Sequence, residues 1–337
     1  RIGKAGGVTC DTAEVHEEIE GSHTCRPEVF GDVVLGRKDV PASYHLCVTH
    51  DDALQSVTLV TRGDDLKPAT DLHRLLQALM GWPQPVYRFH PLMLGADGKK
   101  LSKRNPESNL FLHRDRGFIR EGLLNYLALL GWSISSDRDV FSMDEMAAVF
   151  DVTAVNPNPA RFDQKKADAI NAAHIRLLNP EEFRQRLVPY LQSSGLIEAS
   201  PSDTQLAILE QAAPLIQERI TVLGESVPML EFLFVDSAQL EMQDDALAGL
   251  PENAAELVRA ALASLELISD AEFKTETIQN ALQTKLIDEM GEKPRNAFGP
   301  LRTAISGKRV SPPLFESMEI LGKRATIERL RSFAEGQ

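Results

Sequence analysis

A short β-branched run, Val57-Thr58-Leu59-Val60, leads into the polar stretch Arg62-Gly63-Asp64-Asp65 and then into Leu72, Leu75, Leu76, Leu79 and Met80. Apolar residues at i, i+3, i+4, i+7 and i+8 predict a helix with one buried face, opened by Pro68 and Thr70 and stopped by Gly81 and Pro83. Strand, polar loop and helix in that order predict part of a parallel, doubly wound sheet, whose ligands gather at the carboxyl ends of the strands. Val33-Val34-Leu35 and Leu46-Cys47-Val48 read as further buried strands, which places Tyr44 on a strand and Arg62 in the loop after the strand ending at Thr61. Residues 1–31 are Gly-rich and acidic with no sustained period, and are expected to be irregular.

Beyond residue 104 the texture becomes helical. Leu123, Leu124, Leu127 and Leu130 form an apolar stripe ended by Gly131, and Ser142 with Glu145 reads as a capping box. Asn179-Pro180-Glu181-Glu182 is a strong helix start, and a last helix is expected from Ser311-Pro312 to near Gly322. The fold class expected is α/β plus all-α. Its parts are an irregular segment over 1–31, half of a doubly wound domain over 32–95, a lysine loop with a mostly helical domain over 96–178, and an all-helical domain over 179–337.

The lysine loop, Lys100-Leu101-Ser102-Lys103-Arg104 after Asp97-Gly98-Lys99, can set two mobile ammonium groups against a polyphosphate, where negative charge builds up in phosphoryl or nucleotidyl transfer. By itself such a cluster is a weak signal, because Lys/Ser/Arg clusters are usually solvated surface. A net charge of −13 argues against a nucleic-acid partner unless the basic residues are segregated, and they are. Lys99 to Arg120 holds seven basic residues against Glu107 and Asp115, and Glu292 to Arg324 holds seven against Glu292, Glu316 and Glu319.

Three cysteines in 337 residues cannot form a disulfide framework, which suits a reducing compartment. Cys10, His16, His23 and Cys25 match no usual zinc spacing, so no zinc is expected. No apolar run approaches the length of a membrane span and no signal pattern opens the chain, so a cytoplasmic protein without membrane contact is expected. The first residue is Arg, which suggests a fragment. Walker, H-E-x-x-H and G-x-S-x-G motifs are absent from the sequence, arguing against common ATPases, zinc proteases and serine hydrolases. Arg62 remains as a group able to hold a carboxylate bidentately, or merely to pair with Asp64 or Asp65. Tyr44 remains as a hydroxyl contact and aromatic wall, or as a half-buried sheet residue.

Taken together, Tyr44-His45-Leu46-Cys47-Val48-Thr49-His50-Asp51-Asp52, Val60-Thr61-Arg62-Gly63-Asp64-Asp65 and Gly98-Lys99-Lys100-Leu101-Ser102-Lys103-Arg104 closely resemble the glutamyl-tRNA synthetases, class I aminoacyl-tRNA synthetases. The lysine loop corresponds to the KMSKS signature, with Leu101 for methionine and Arg104 for the last serine. The likeness continues through Asn125-Tyr126-Leu127-Ala128-Leu129-Leu130-Gly131-Trp132, Arg161-Phe162-Asp163, Lys293-Pro294-Arg295 and Ser311-Pro312-Pro313-Leu314-Phe315-Glu316, and so covers nearly the whole chain after residue 31. It implies the second half of a Rossmann-like catalytic domain, a helical stem-contact domain and an α-helical anticodon-binding domain, with 1–31 a remnant of the acceptor-binding insertion.

By that resemblance the chain serves the ligation of glutamate to tRNA(Glu) through glutamyl-adenylate, using ATP with Mg2+, as a monomer. Lys103 is implied to stabilise the pentavalent α-phosphate, Lys100 to assist, and Leu101, Ser102 and Arg104 to complete the ATP-binding loop. Tyr44 and Arg62 match positions that contact the amino acid, and Asp65 a position near the ribose or tRNA end. The first basic patch is implied to lie near the acceptor stem and the second in the anticodon-binding helices.

Two departures qualify the match. The sequence holds no His-x-Gly-His or near variant, whereas class I synthetases need that HIGH motif at the ATP phosphates; no adenylation by this chain alone is expected. Residues 31–104 also resemble the glutamyl-queuosine tRNA(Asp) synthetases, short relatives without an anticodon-binding domain. The alternatives are therefore that modifying enzyme or a catalytically inactive tRNA-binding paralogue.

Overall fold

The structure, a computed structural model, describes residues 30–39, 41–95, 97–102, 108–156 and 158–336, and the backbone of two short strands before them. The chain divides into two compact units, one of residues 1–112 with 123–170, the other of 113–122 with 171–337.

In the first unit, β1 (Glu14–Glu17) and β2 (Gly21–Thr24) pair antiparallel, Glu14 opposite Thr24 and Glu17 opposite Gly21. This corrects the expectation that residues 1–31 are wholly irregular: so short a ladder is made by main-chain hydrogen bonds and leaves no apolar period to read. The side chains of Cys10, His16, His23 and Cys25 lie outside the described residues.

Val33-Val34-Leu35 forms no strand; Val34 is exposed, and the Leu35 carbonyl accepts from the Ser43 amide at 2.7 Å. The next expected strand is a helix, α1 (Tyr44–Leu54), so Tyr44 opens a helix instead of sitting on a sheet. Ser43 caps it by accepting from the Leu46 amide, and the buried Thr49 hydroxyl bonds back to the His45 carbonyl at 2.8 Å. Those local bonds satisfy groups that a short apolar run cannot satisfy without a neighbouring strand.

β3 (Leu59–Gly63), α2 (Lys67–Met80) and β4 (Val86–His90) form a parallel strand–helix–strand unit, in register from Leu59 opposite Val86 to Gly63 opposite His90. Arg62 therefore lies on the strand, opposite Phe89, and not in the loop beyond it. α2 has the predicted face, with Leu72, Leu75 and Leu76 buried, and it stops at Gly81, whose φ of 69° is the left-handed cap that glycine accommodates. Leu79 and Met80, expected in the same stripe, are exposed at its end.

β5 (Met93–Leu94) pairs with β6 (Ala160–Arg161) in parallel, and between them in sequence run α3 (Leu110–Arg116), α4 (Arg120–Leu129) and α5 (Met143–Val149). The Ser142–Glu145 capping box is present. On α4 the deeply buried residues are Asn125 and Tyr126, whereas Leu124 is exposed. Asn125 accepts from the Phe141 amide at 3.1 Å and donates to the Asp139 carbonyl at 2.9 Å, so a polar side chain takes a place that the leucine stripe alone did not mark.

α6 (Gln164–Leu177) leads into the helical unit, which continues through α7 (Pro180–Ser193), α8 (Asp203–Gln217), α9 (Ser226–Leu230), α10 (Asp244–Ala248), α11 (Ala254–Glu266), α12 (Thr275–Leu282), α13 (Pro294–Ser306) and α14 (Leu314–Gly336). Asn179 caps α7 by accepting from the Glu182 amide at 2.9 Å, with Pro180 in the first turn, as its sequence predicts. One apolar cluster, including Phe183, Leu187, Leu209, Leu257, Leu282, Leu301 and Leu330, holds these helices together. The helix expected to close near Gly322 does so: Gly322, at φ 78° and ψ 163°, is not helical, and it ends the first arm of α14 before a second arm begins.

Candidate functional site

The carboxyl end of β3 collects the polar residues of the first unit. Arg62 is only 8% exposed. Its Nη1 donates to His73 Nδ1 at 2.9 Å and its Nη2 to the Thr70 hydroxyl, both partners standing one turn apart on α2. The guanidinium carbon lies 4.7 Å from the centre of the buried Tyr87 ring and 5.6 Å from that of Phe89, both on the neighbouring strand. Among the described residues Arg62 forms no ion pair with a carboxylate, and its Nε has no hydrogen-bond partner. Burial pulls the guanidinium below its ordinary pKa, with Tyr87, Tyr44 and Asp52 acting the other way. Pairing with Asp64 or Asp65 is thus not what Arg62 does.

His73 is 1% exposed, and its Nε2 lies 2.9 Å from His45 Nδ1 on α1. Burial first, then the charge of Arg62, brings its pKa down to about 3, so the ring is neutral. Tyr44, 54% exposed, stands beside this pair with its ring centre 6.1 Å from that of His73. Gln77, fully buried, donates to the Tyr87 hydroxyl at 3.1 Å, closing the inner side. Sequence reasoning found Tyr44 and Arg62 but missed Thr70, His73 and His45. The available signal was Thr70 and His73 at i and i+3 on the buried face of a helix that directly follows Arg62.

Asp65 and Lys100 are brought together, Lys100 Nζ donating to Asp65 Oδ2 at 2.6 Å. That bond holds the Asp65 carboxyl below the usual carboxylate range. Gly63 makes room for it, since a Cβ there would stand 2.6 Å from Asp65 Oδ1. A tight turn precedes the lysine loop: the Gly95 amide donates to the Lys99 carbonyl at 2.8 Å and the Gly98 amide to the Gly95 carbonyl at 3.0 Å. Gly98 has φ 76°, which favours glycine. The Leu101 amide returns to the Met93 carbonyl at 2.8 Å, and the Ser102 carbonyl accepts from the Ser108 hydroxyl at 2.7 Å. Lys103 and Arg104 lie outside the described residues.

A separate cavity of about 680 Å3 lies in the helical unit, lined by Arg295, Asn296, Phe298, Arg302 and Arg309 among others. Arg302 is oriented by donating to the Ser311 hydroxyl at 2.7 Å and the Pro312 carbonyl at 2.8 Å, and burial lowers its pKa. The second basic patch therefore splits. Lys308 and Lys323 tie the fold by donating to the Pro228 and Ile268 carbonyls, while three arginines face a cavity.

Comparison with known proteins falls along the same two regions. The family model described as "tRNA synthetases class I (E and Q), catalytic domain" matches residues 8–169, and the one described as "Anticodon binding domain" matches 182–334. The glutamate–tRNA ligase of Leifsonia xyli is 51% identical over 317 residues, 93% of this chain and 65% of that protein. That of Kineococcus radiotolerans is 53% identical over 307 residues, 90% of this chain and 61% of that protein. The chain thus spans less than two thirds of the length of these relatives. A crystal structure of a glutamate tRNA ligase from Elizabethkingia meningosepticum, in complex with its amino acid, superposes with a TM-score of 0.77 at 26% identity, covering 96% of this chain and 66% of that one.

Proposed function

The chain belongs to the class I tRNA synthetases of the glutamate and glutamine type, and on that premise we propose that it serves a glutamate–tRNA ligase, in the cytoplasm, with glutamate, ATP and tRNA(Glu) as substrates. The observation that carries the amino-acid choice is Arg62: a buried guanidinium, forming no ion pair among the described residues, with its Nε still unpartnered. Leaving such a charge buried is costly unless a ligand completes it. A carboxylate presents two acceptors to the guanidinium. An amide presents one acceptor and a donor that the guanidinium repels, so glutamate is preferred to glutamine. Tyr44, exposed beside the cluster, supplies an aromatic wall and a hydroxyl.

In the reaction so assigned, the α-carboxylate of glutamate attacks the α-phosphorus of ATP and pyrophosphate leaves; a hydroxyl of the terminal ribose of the tRNA then attacks the carbonyl of glutamyl-adenylate, forming the ester and releasing AMP. Lys100, on its Gly-built turn, would meet the phosphate oxygens as negative charge accumulates, with Lys103 as the second ammonium and Leu101, Ser102 and Arg104 shaping the loop. The loop fits a polyphosphate because the Lys100 side chain is half-exposed and, among the described residues, is held by a single exchangeable ion pair, to Asp65. Mg2+ would arrive on the ATP phosphates and share their charge. Asp65 would then exchange its Lys100 contact for one near the ribose or tRNA end. The arginine-lined cavity of the helical unit suits nucleotides of the tRNA: Arg295, Arg302 and Arg309 offer phosphate and base donors, and Phe298 a stacking face.

The test of the amino-acid assignment is calorimetric titration of the chain with L-glutamate and L-glutamine. Glutamate is expected to bind more tightly, and Arg62→Gln to weaken it by about 10- to 100-fold, the worth of a charged hydrogen bond. Equal binding of the two amino acids would overturn it. The sequence contains no His-x-Gly-His, so ATP–pyrophosphate exchange by these 337 residues on their own is expected to stay at background; measurable exchange would refute that.

A further inference from the structure

The hydrogen bonds at Arg62 set an order that runs outward to the surface. A guanidinium can only donate, so His73 Nδ1, 2.9 Å from Arg62 Nη1, has to accept. The proton of this neutral ring is then on Nε2, which faces His45 Nδ1 at 2.9 Å and donates to it. His45 Nδ1 is occupied as an acceptor, and its own proton is on Nε2. His45 is half-buried beside Tyr44, and its Nε2 makes no hydrogen bond among the described residues. Three side chains from β3, α2 and α1 thus form one directed series ending in a donor.

We propose that His73 is the positioning residue of this site, fixing the Arg62 guanidinium from one side while Thr70 fixes it from the other, and that through His73 the half-buried His45 presents an obligate Nε2–H donor to the same anionic ligand. The proposal rests on the reading that Arg62 receives a carboxylate. It adds that His45 is a specificity-determining contact, because a ring whose Nδ1 is already taken favours an acceptor and disfavours an ammonium or amide N–H. Thr70 and His73 lie one turn apart on α2, so the helix presents two acceptors to the two Nη groups and leaves Nε for the ligand.

Long-range proton–nitrogen NMR spectra of the 337-residue chain read histidine tautomers directly. The expected result is Nε2–H at both His73 and His45, together with a sharp, slowly exchanging Arg62 Nε–H signal. His73→Gln keeps one acceptor and one donor in place and should retain that signal, whereas His73→Leu should lose it. In glutamate titrations His73→Leu and His45→Leu should weaken binding at least about tenfold and His73→Gln by no more than about threefold, as expected for loss or retention of hydrogen bonds to a charged group. A proton on His73 Nδ1 in the unaltered chain overturns the proposal whether or not any variant folds. So does a leucine variant with unchanged Arg62 signal and unchanged affinity. No response of the unaltered chain to glutamate would count against the substrate assignment, and the tautomer and Arg62 signals would then decide the role of His73 by themselves.

Discussion

Arg62 and His73 illustrate how a single buried charge is made tolerable by neutral neighbours. Among the described residues, every hydrogen-bond and ring partner of Arg62 is uncharged: the Thr70 hydroxyl, the His73 ring and two aromatic faces. His73 must stay neutral, which links the fold to pH. Its pKa is about 3 in the folded protein against an ordinary 6.5. Between those values the unfolded chain holds a proton that the folded one refuses, so stability rises with pH across the interval and is lost as pH falls from about 6.5 toward 3. Glu121, drawn down to about 2 by bonds from Arg186, loses its stabilising contribution as pH falls below its ordinary 4.5, so acid acts in the same direction there. Thermal unfolding of the unaltered chain should move to lower temperature between pH 6.5 and 4, and His73→Gln should flatten that dependence; an equal slope in both would contradict the assignment. Tyr44, Arg62 and Lys100 could be picked from the sequence because each sits in a recognisable run. Thr70 and His73 carried only their i, i+3 spacing on the helix after Arg62 as a signal, since their role depends on Arg62 pointing from a strand at a helix face that otherwise reads as ordinary core.

At the scale of elements, local hydrogen bonds decided where propensity was ambiguous. Leu46-Cys47-Val48 reads as a strand, but Ser43 and Thr49 close a helix around it. The helix over 67–80 was legible because five apolar residues shared one period and a glycine stopped it. Buried amides were not legible, since nothing in a sequence says which polar residue on an apolar face will find partners. Asn171 on α6 is an example: fully buried, it accepts from the Ile119 amide at 2.9 Å and donates to the Thr221 carbonyl at 2.7 Å. Asn171→Ala leaves both main-chain groups unsatisfied and is expected to cost about 2 to 4 kcal/mol in urea unfolding. A loss below about 0.5 kcal/mol, the size of an ordinary surface substitution, would show that those bonds do not hold the helical unit.

For the molecule as a whole, the net charge of −13 conceals its recognition chemistry. Lys308, Lys323 and the Nη1 of Arg302 are spent on acceptors within the fold, whereas Arg295 and Arg309, with the rest of the Arg302 guanidinium, line a cavity in the unit matched by the anticodon-binding model. The charge count found the patch; only side-chain positions separated structural cations from available ones. The family, the parallel strand–helix–strand unit and the helical second half were all readable in advance, because motif runs and helix caps are local. The most direct measurement is filter binding of the chain to tRNA(Glu) and tRNA(Asp) over a salt series, with Arg302→Ala beside it. Both complexes should weaken as salt rises, because phosphate contacts release counterions. The account predicts that tRNA(Glu) stays the tighter ligand throughout and that Arg302→Ala narrows the difference. Equal affinity for the two tRNAs, or preference for tRNA(Asp), would contradict it.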